Sequence, residues 1–501
     1  MIDLTLAQIA RIVGGALADV SADDAEKTVV TGTVEFDSRA VTPGGLFLAL
    51  PGARADGHDF AAGAVAAGAA GVLAARPVGV PAVVVPPAAA GDAGASVLEH
   101  DVDGAGAAVL AALAKLAAHV AAELVANGLV VVGVTGSSGK TSTKDLLAAV
   151  LEPLGEVVAP PGSFNNELGH PWTVLRATTE TDYLILEMSA RHPGNIAALA
   201  RIAPPSIAVV LNVGTAHLGE FGSREAIAAT KAELPQAVPA SGVVILNADD
   251  ANVAAMAEKT AARVVRVGRS AGADVVATGV VLDDLARARF TLHAGDRQTE
   301  VTLAVHGDHQ VSNALCAAAV ALECGATLDQ VAAALAAAGP VSRSRMQVAT
   351  RADGVTVVND AYNANPDSVR AGLKALAWMA KGGREQSAAP RRSWAVLGEM
   401  GELGDDAISE HDSIGRLAVR LDVSRLVVIG TGRSMSAMHH GAVMEGSWGS
   451  EVTMVADADA ALALLREELR AGDVVLVKAS NSAGLGRLAE ALLDESGDGA
   501  G

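Results

Sequence analysis

The chain has 501 residues, 50% of them hydrophobic and 19% charged, so it can bury a sizeable core and has room for roughly three domains. Its formal net charge of -20 opposes binding to nucleic acid and to anionic membrane surfaces. An anionic ligand must therefore be held by a local cluster of donors.

The first 103 residues predict a small α/β domain. Residues 1–15 show the pattern of a short amphipathic helix that ends at Gly14, without the basic start or cleavage site of an export signal. Short apolar runs then alternate with Gly/Pro turns over 30–86, and AAAGDAGAS at 88–96 lies near the predicted boundary.

The Ala-rich run at 105–127 is interrupted by Lys115, His119 and Glu123. We therefore expect no segment to approach the roughly 20 apolar residues that span a bilayer. No membrane insertion and a cytoplasmic location are predicted.

Residues 104–340 predict a central parallel sheet, of the type that carries phosphate-binding loops, with helices on both faces. Apolar runs such as LVVVGVTG, YLILEMSA and SIAVVLNVG alternate with helical stretches. Ligands of such folds bind at the carboxyl ends of the strands. Cys316 and Cys324 show neither metal-ligand nor disulfide spacing, and they fit small core residues on a helix in a reducing cytosol.

Residues 341–501 predict a Rossmann-like, doubly wound domain. The runs GVTVVNDAY, SWAVLGEM, RLVVIGTG and DVVLVKAS again alternate with helices, and only the terminal ESGDGAG reads as disordered. The predicted fold class is thus α/β with three domains.

The stretch GVTGSSGKTS predicts a phosphate-binding loop, although Val134 stands where the usual spacing places a glycine. It lies between a predicted strand and a predicted helix, so backbone N–H groups would face phosphate oxygens. The candidate nucleotide-binding residues are Thr135, Gly136, Ser137, Ser138, Gly139, Lys140, Thr141 and Ser142. No lysine follows an asparagine, so the guanine motif Asn-Lys-x-Asp is missing and ATP is favoured.

Three further side chains are candidates at the same sheet edge. Glu187 ends the run YLILE, and His217 follows the next predicted strand, where either could bind Mg²⁺. Only nine residues are lysines, so Lys231 in an Ala-rich helix could serve as an amine. Each residue alone fits a structural role as well, and Lys231 fits a solvated surface residue. Together with Thr141 they would surround one point.

The third domain contributes DAYNANPDS. Asp360 follows a predicted strand, Asn363 and Asn365 form a turn with Pro366, and Ser368 opens onto a helix. A loop with several side-chain amides is suited to hydrogen-bonding a ligand. The alternative is that these asparagines serve only to form the turn.

These motifs resemble the Mur ligases of bacterial cell-wall synthesis through all three domains. TGSSGKTS is similar to that family's T-G-x-x-G-K-T, and DAYNANPDS resembles the member that adds D-alanyl-D-alanine to UDP-N-acetylmuramoyl-tripeptide. The resemblance implies an ADP-forming peptide ligase that makes a C–N bond through an acyl phosphate and supplies peptidoglycan synthesis. The alternatives are a sister Mur-type or folate-type amide ligase, and a non-catalytic ATP-gated interaction protein.

The resemblance also implies roles for individual residues. Residues 1–103 would bind the UDP-sugar, 104–340 ATP, and 341–501 the acceptor dipeptide of a monomeric enzyme. The implied substrate contacts are Ser38 and Arg39, Asn165 and Asn166, and Asn363 and Asn365; the implied ATP contacts beyond the loop are His309, Asn313, Arg345 and Asp360.

The implied catalytic residues are Lys140, His217 and Lys231. In the family the lysine that matches Lys231 is carbamylated by CO₂. The implied ligands of two Mg²⁺ ions are therefore Thr141, Glu187, His217 and the Lys231 carbamate.

Four positions depart from the family pattern. Ser189 and Arg191 replace the usual glycine and asparagine, Pro235 stands where an aromatic is usual, and Asn481 where arginine is common. Because Arg345 and Asp360 lie beyond residue 340, the third domain must close over the second. We expect an open arrangement when no ligand is bound.

Overall fold

The computed structural model describes residues 1–52, 55–87, 101, 103–215, 218–270, 272–382, 391–446, 449 and 451–494. Their strands form one two-stranded sheet and three larger sheets of five, nine and six strands. Helices accompany each of the larger sheets, so the predicted α/β class is confirmed. The segments 88–96 and 495–501, discussed above, lie outside the described residues.

The first region is a small sheet with three short helices. Its strands are β1 Leu4–Thr5, β2 Ala16–Ala18, β3 Val29–Val30, β4 Val34–Glu35, β5 Leu46–Leu48, β6 Gly71–Ala74 and β7 Ala82–Val84, and its helices are α1 Leu6–Val13, α2 Ala22–Lys27 and α3 Ala61–Ala66. The order β2-β7-β6-β5-β4 is parallel except at β2. The predicted first helix is confirmed: Thr5 and Gln8 form a capping box, and Gly14 ends it with φ 75°.

The central region contains the nine-stranded sheet. Its strands are β8 Val130–Thr135, β9 Val157–Val158, β10 Tyr183–Glu187, β11 Ile207–Val210, β12 Val243–Asn247, β13 Arg263–Gly268, β14 Val275–Leu282, β15 Arg287–Ala294 and β16 Arg297–His306. Its helices are α4 Ala105–Ala126, α5 Lys140–Leu151, α6 Gly169–Val174, α7 Asn195–Ile202, α8 Leu218–Phe221, α9 Arg224–Lys231, α10 Glu233–Ala237, α11 Ala251–Ala254, α12 Gln310–Glu323 and α13 Leu328–Ala337.

Both faces of this sheet are covered, as the continuous apolar strands predicted. Val131 of β8 packs in one hydrophobic cluster with α4 and α7. Val132 and Val134 pack in another with α5 and α12, where Cys316 is also buried. The sheet is parallel from β9 to β14, while β14, β15 and β16 form an antiparallel extension that the sequence pattern did not predict.

The third region is a six-stranded, doubly wound sheet. Its strands are β17 Gln347–Thr350, β18 Thr356–Asn359, β19 Ser393–Leu397, β20 Arg425–Ile429, β21 Val452–Val455 and β22 Val474–Lys478, and its helices are α14 Pro366–Ala380, α15 Ala407–Arg420, α16 Arg433–Glu445, α17 Ala458–Glu468 and α18 Gly486–Asp494. The order β17-β18-β22-β19-β20-β21 is parallel except at β17. Helices α14 to α16 cover one face and α17 and α18 the other.

Helix α4 is long and apolar enough to cross a membrane by length and composition, with a mean hydropathy of 1.8. The expectation that no segment approaches that length is therefore wrong. Within its most apolar window of 18 residues, 56% of the residues are buried inside the protein. The helix packs against α1 and α6, as core helices of soluble proteins do.

The chain enters the third region through a polar anchor on α5. Ser342 is buried, its backbone N–H donates to Asp145 Oδ2 at 3.1 Å, and its hydroxyl donates to Asp145 Oδ1 at 3.1 Å. Lys144 Nζ donates to the same hydroxyl at 3.3 Å. The start of the third region is thus tied to the helix that follows the candidate phosphate loop.

Candidate functional site

The loop GSSG connects β8 to α5 in the parallel part of the large sheet. Strand β8 lies between β10 and β11, so the chain leaves it in one direction and later returns on the other side. Such a switch point opens a crevice at the carboxyl ends of the strands. Gly139 takes φ 84°, and a Cβ there would lie 2.7 Å from Oδ1 of Asn313 on α12. Only glycine therefore allows this approach between the loop and α12.

Asn212, just after β11, holds the loop in shape. The backbone N–H groups of Ser137 and Ser138 each donate to its Oδ1 at 3.0 Å. Lys140 Nζ donates to the carbonyl of Gly136 at 2.7 Å. The sequence reasoning missed Asn212, because an asparagine after a strand is also an ordinary turn residue.

Thr135 differs from the rest of the candidate loop residues. Its side chain is fully buried, and its hydroxyl donates to the carbonyl of Met188 at 2.9 Å. It thus joins β8 to the end of β10 and supports the loop from behind.

Glu187 is a fully buried carboxylate at the end of β10. Its Oε2 accepts hydrogen bonds from Thr141 Oγ1 and Ser163 Oγ at 3.3 Å and from Asn165 Nδ2 at 3.4 Å. Within the described ranges its Oε1 has no hydrogen-bond partner. Desolvation raises the pKa of this carboxyl, while Lys140 and Arg345 oppose that shift. A buried carboxylate oxygen with no donor fits a cation.

Lys231 ends α9 and is 6% exposed, so its interpretation as a solvated surface residue is wrong. Burial lowers the pKa of its amine well below the ordinary value, and the charge of Lys140 lowers it further. His217 lies outside the described residues. The predicted convergence is therefore seen only for Thr141 and Glu187, whose side chains touch.

The candidate site occupies two adjoining cavities between the central and third regions. The larger, of about 430 Å³, includes Ser137, Lys140 and Thr141 on one side and Asn363 and Asn365 on the other. Asn165 and Asn166 also line it. The smaller, of about 220 Å³, brings together Ser138, Gly139, Ser142, His309, Asn313, Arg345 and Asp360. Residues that are distant in sequence thus meet around the loop.

Arg345 reaches from the third region to the loop. Its Nη2 donates to Thr141 Oγ1 at 3.2 Å, and its guanidinium carbon lies 4.1 Å from the ring centroid of Tyr362. Ser344 and Met346 on either side take φ of 54° and 49°. A positive φ is unfavourable for residues that have a Cβ, and such a conformation persists only where the surrounding structure fixes it. This strained turn aims the arginine at the loop.

Asp360 is held by a residue to which no role was assigned from sequence. Lys478 Nζ, at the end of the neighbouring strand β22, donates to Asp360 Oδ2 at 2.6 Å, and the Met346 N–H donates to Oδ1 at 3.0 Å. Lys478 is 2% exposed, and desolvation lowers the pKa of its amine. In the sequence, the signal that could have pointed to a role for Lys478 was the rarity of lysine in this chain.

Asn365 joins the two regions directly. It caps α14 by accepting from the Ser368 N–H at 2.9 Å, and its Nδ2 donates to the carbonyl of Ser137 at 3.3 Å. Asp367 Oδ2 accepts from the Thr215 N–H at 3.0 Å. The structure therefore has these regions in contact, and the open arrangement expected in solution stays a prediction.

Ser38 and Arg39 lie away from both cavities, as far as the described lining residues show. Arg39 is exposed and donates through Nη2 to Asp37 at 2.7 Å; this bond lowers the pKa of Asp37 to about 2. Phe36, just before them, has its ring 6.3 Å from Phe164 and 5.6 Å from Trp172. The aromatic cluster Phe36–Phe164–Trp172 thus joins this segment to Asn165.

Three family models match consecutive parts of the chain. They are the Mur ligase family catalytic domain at residues 32–121, the Mur ligase middle domain at 134–321, and the Mur ligase glutamate ligase domain at 344–481.

Curated relatives match along nearly the whole chain. The chain is 77% identical over 504 residues to UDP-N-acetylmuramoyl-tripeptide--D-alanyl-D-alanine ligase of Mycobacterium tuberculosis, with 98% of each covered. It is 34% identical over 438 residues to the ligase of the same name from Escherichia coli, with 86% of each covered.

Solved structures agree. The chain is similar to MurF from Acinetobacter baumannii with a TM-score of 0.80 and 29% identity, covering 98% of this chain and 99% of that one. It is also similar to MurF ligase from Thermotoga maritima in complex with ADP, with a TM-score of 0.73 and 28% identity, covering 93% and 98%.

Proposed function

The chain belongs to the Mur ligase family, and from this membership we propose that it is the ATP-dependent ligase that joins D-alanyl-D-alanine to UDP-N-acetylmuramoyl-tripeptide. The products are ADP, phosphate and the UDP-linked pentapeptide used in peptidoglycan synthesis. The observation that carries the proposal is the meeting of the loop residue Thr141 with Arg345 of the third region at one shared cavity.

The reaction must first activate a carboxylate, which is a poor electrophile. An oxygen of the tripeptide carboxylate attacks the γ-phosphorus of ATP, forming an acyl phosphate and releasing ADP. The neutral amine of the dipeptide then attacks the acyl carbon. The tetrahedral intermediate loses phosphate and a proton to leave the amide.

The chain's own residues supply positioning and charge for these steps. Lys140, Arg345 and the N–H groups of 139–142 bind the β- and γ-phosphates, while the N–H groups of Ser137 and Ser138 stay on Asn212 and hold the loop in shape. Asp360, held by Lys478, binds the ribose, and His309 and Asn313 lie by the adenine. Asn165 and Asn166 contact the muramoyl peptide, Asn363 and Asn365 line the acceptor side, and Ser38 and Arg39 contact the UDP group.

We infer two Mg²⁺ ions at this donor set, and a cation there is supported by Glu187, which presents a buried oxygen without a hydrogen-bond donor in the described part of the chain. Thr141 and Glu187 would hold one ion, and Glu187, His217 and the modified Lys231 the other. Bound Mg²⁺ would neutralise phosphate charge.

Lys231 carries a carbamate in this proposal. Its nitrogen adds to the carbon of CO₂ and loses a proton, so only the neutral amine reacts. Burial of the amine supports this chemistry, since it lowers the pKa and favours the neutral form. The product is an anion able to bind a cation, which arginine could not become.

The carbamate is tested by Lys231→Ala, with the exposed Lys259→Ala as a matched control. We expect Lys231→Ala to lose nearly all phosphate release, and short-chain carboxylic acids to restore part of it. Wild-type rates in Lys231→Ala would refute the role.

The domain assignment follows the same proposal: 1–103 binds the UDP-sugar, 104–340 binds ATP, and 341–501 binds the dipeptide. We also propose that the enzyme is a cytoplasmic monomer without membrane insertion. Size-exclusion chromatography with light scattering checks the oligomeric state.

The deciding experiment for the function measures phosphate release from ATP with the UDP-tripeptide, with and without D-alanyl-D-alanine. Release that needs both substrates supports the proposal. Release with another amino acid in place of the dipeptide would indicate a sister ligase. A non-catalytic ATP-gated protein would release none.

A further inference from the structure

Arg191 and Glu402 form an ion pair between the central and third regions, beside the larger cavity. Arg191 Nη2 lies 2.7 Å from Glu402 Oε1, and the two side chains are 39% and 37% exposed. Arg191 follows β10 in the central region, and Glu402 belongs to the third region. Both line the larger cavity.

This pair lies away from the proposed nucleotide site. Ser138, Gly139 and Arg345 line both cavities, whereas Arg191 and Glu402 are among the described lining residues of the larger cavity only. With the nucleotide base and ribose in the smaller cavity, the phosphates occupy the shared wall. The remainder of the larger cavity is left for the peptides.

Arg191 is the one cation that the described lining offers in this peptide part. The other two cations of the larger cavity, Lys140 and Arg345, belong to the phosphate wall. The backbone around Arg191 is fixed, because Asn195 Oδ1 accepts from the N–H groups of Arg191 and His192 at 3.1 and 2.9 Å. Its guanidinium is therefore presented to the cavity from a defined turn.

Glu402 is held in an unfavourable backbone conformation. It takes φ 61°, in the left-handed region, and the N–H of its neighbour Gly401 donates to Ser480 Oγ at 2.7 Å. Strain of this kind accumulates at ligand sites. The turn places the Glu402 carboxylate on Arg191 beside the larger cavity.

From this geometry we propose that Arg191 binds a free carboxylate of a peptide substrate, and that the Glu402 carboxylate is exchanged for it. The inference rests on the proposed ligase function. The carboxylate is either the C-terminal group of the dipeptide or a group of the tripeptide other than the one activated. Guanidinium suits both, since it binds carboxylates through paired N–H donors.

Arg191→Gln and Glu402→Gln have opposite expected effects. Arg191→Gln removes the charged donor and raises KM for the carboxylate-bearing substrate by roughly ten- to hundredfold. Glu402→Gln removes the competing carboxylate and lowers that KM by roughly two- to fivefold. Arg191→Lys keeps the positive charge but lacks the paired N–H donors of the guanidinium. Its KM should therefore lie between those of Arg191→Gln and the wild type.

A pair that merely latched the two regions would respond differently. Either substitution would break such a latch and raise KM. An increase of KM in both Arg191→Gln and Glu402→Gln therefore overturns the proposal. A KM within twofold of wild type for both peptide substrates in Arg191→Gln also overturns it. Unchanged melting temperature and KM for ATP confirm that the variants are folded.

The source of the carboxylate is identified with D-alanyl-D-alaninamide as acceptor. If the effect of Arg191→Gln disappears with this amide, Arg191 binds the dipeptide carboxylate; if it persists, Arg191 binds the tripeptide. Calorimetric titration of each substrate into the same variants gives a readout independent of turnover. A wild-type enzyme that releases no phosphate would refute the ligase function, and these titrations would still decide the carboxylate proposal.

Discussion

The two junctions of the molecule are built from different chemistry. Between the first and central regions, Phe36, Phe164 and Trp172 pack as one aromatic cluster, and the hydrophobic core runs on from α1 through α4 to β8. Between the central and third regions the contacts beside the candidate site are polar, such as those of Arg345, Asn365 and Asp367 with the loops after β8 and β11. Away from the site, Leu282 and Ala286 at the β14–β15 turn pack against the core of the third region.

This difference predicts which of the two junctions opens when ligands enter and leave. Apolar burial stabilises by an amount that grows with area and has no substitute in water. Hydrogen bonds at an exposed junction exchange with water at a net cost of about 1 kcal/mol each. The first junction is therefore expected to stay fixed, while the second opens to admit ATP and peptides.

The largest expected effect is on the aromatic junction. Trp172 is 6% exposed and donates its indole N–H to the carbonyl of Val34 at 2.7 Å. Trp172→Ala should lower the free energy of unfolding by about 3–5 kcal/mol, because it leaves a cavity and an unpaired carbonyl. Urea denaturation followed by circular dichroism measures this.

Trp378→Ala is the matched control at the junction between the central and third regions. Trp378 is partly buried, and its indole N–H donates to the carbonyl of Asp283 at 2.9 Å. We expect a smaller loss of about 1–2 kcal/mol. Equal losses for the two variants would contradict the comparison.

Arg345→Ala tests the polar junction at the contact between the third region and the candidate phosphate loop. Removal of a donor to developing phosphate charge should lower kcat by roughly 10²–10³-fold, with the free energy of unfolding nearly unchanged. Arg343→Ala, an exposed arginine two residues earlier, is the control. Similar kinetics for the two variants would show that Arg345 has no role in the reaction.

Asp367→Ala tests the hold of the third region at its contact with the loop after β11. The Thr215 N–H loses its acceptor, and the ratio of closed to open molecules should fall by roughly tenfold. Small-angle scattering with an ATP analogue and the UDP-substrate measures the ratio. The exposed Asp405→Ala should leave it unchanged, and an unchanged ratio in Asp367→Ala would argue against this contact.

Salt should give the smallest effect. Raising the ionic strength from 0.1 to 1 M shortens the screening length from about 10 to about 3 Å. The charged contacts of the polar junction, such as that of the Asp367 carboxylate with the Thr215 N–H, should weaken, and the closed fraction should fall by roughly two- to fivefold. Energy transfer between fluorophores across each junction checks this: a salt-dependent distance at the aromatic junction would contradict the comparison.

Residues at the ends of strands were predictable because the apolar runs are continuous. The runs LVVVGVT and YLILE placed the phosphate loop and Glu187 at one edge, and the structure brings Thr141 to 3.3 Å from Glu187. The burial of Lys231 was implied only by the family resemblance, since its own helix reads equally well as a surface helix.

Residues whose role depends on a distant partner were not predictable in this way. Asn212 matters because β11 lies beside β8, and Lys478 because β22 lies beside β18. The pairing of Arg191 with Glu402 spans 211 positions, which no local pattern encodes. The antiparallel β14–β16 was missed because its strands are half-exposed and lack a continuous apolar run.

If the third region rotates relative to the central one, the contact of Ser342 with α5 would be its pivot. In a rotation about that anchor each atom moves in proportion to its distance from it, and Arg345, three residues on, lies within about 11 Å along the chain. Glu402 lies far from the pivot in sequence and lines the larger cavity, and it is not among the described lining residues of the smaller one. We therefore expect a small rotation to move Arg345 little and to open the cleft mainly on the side of the peptides, so that product and nucleotide leave through a gap that widens from that side.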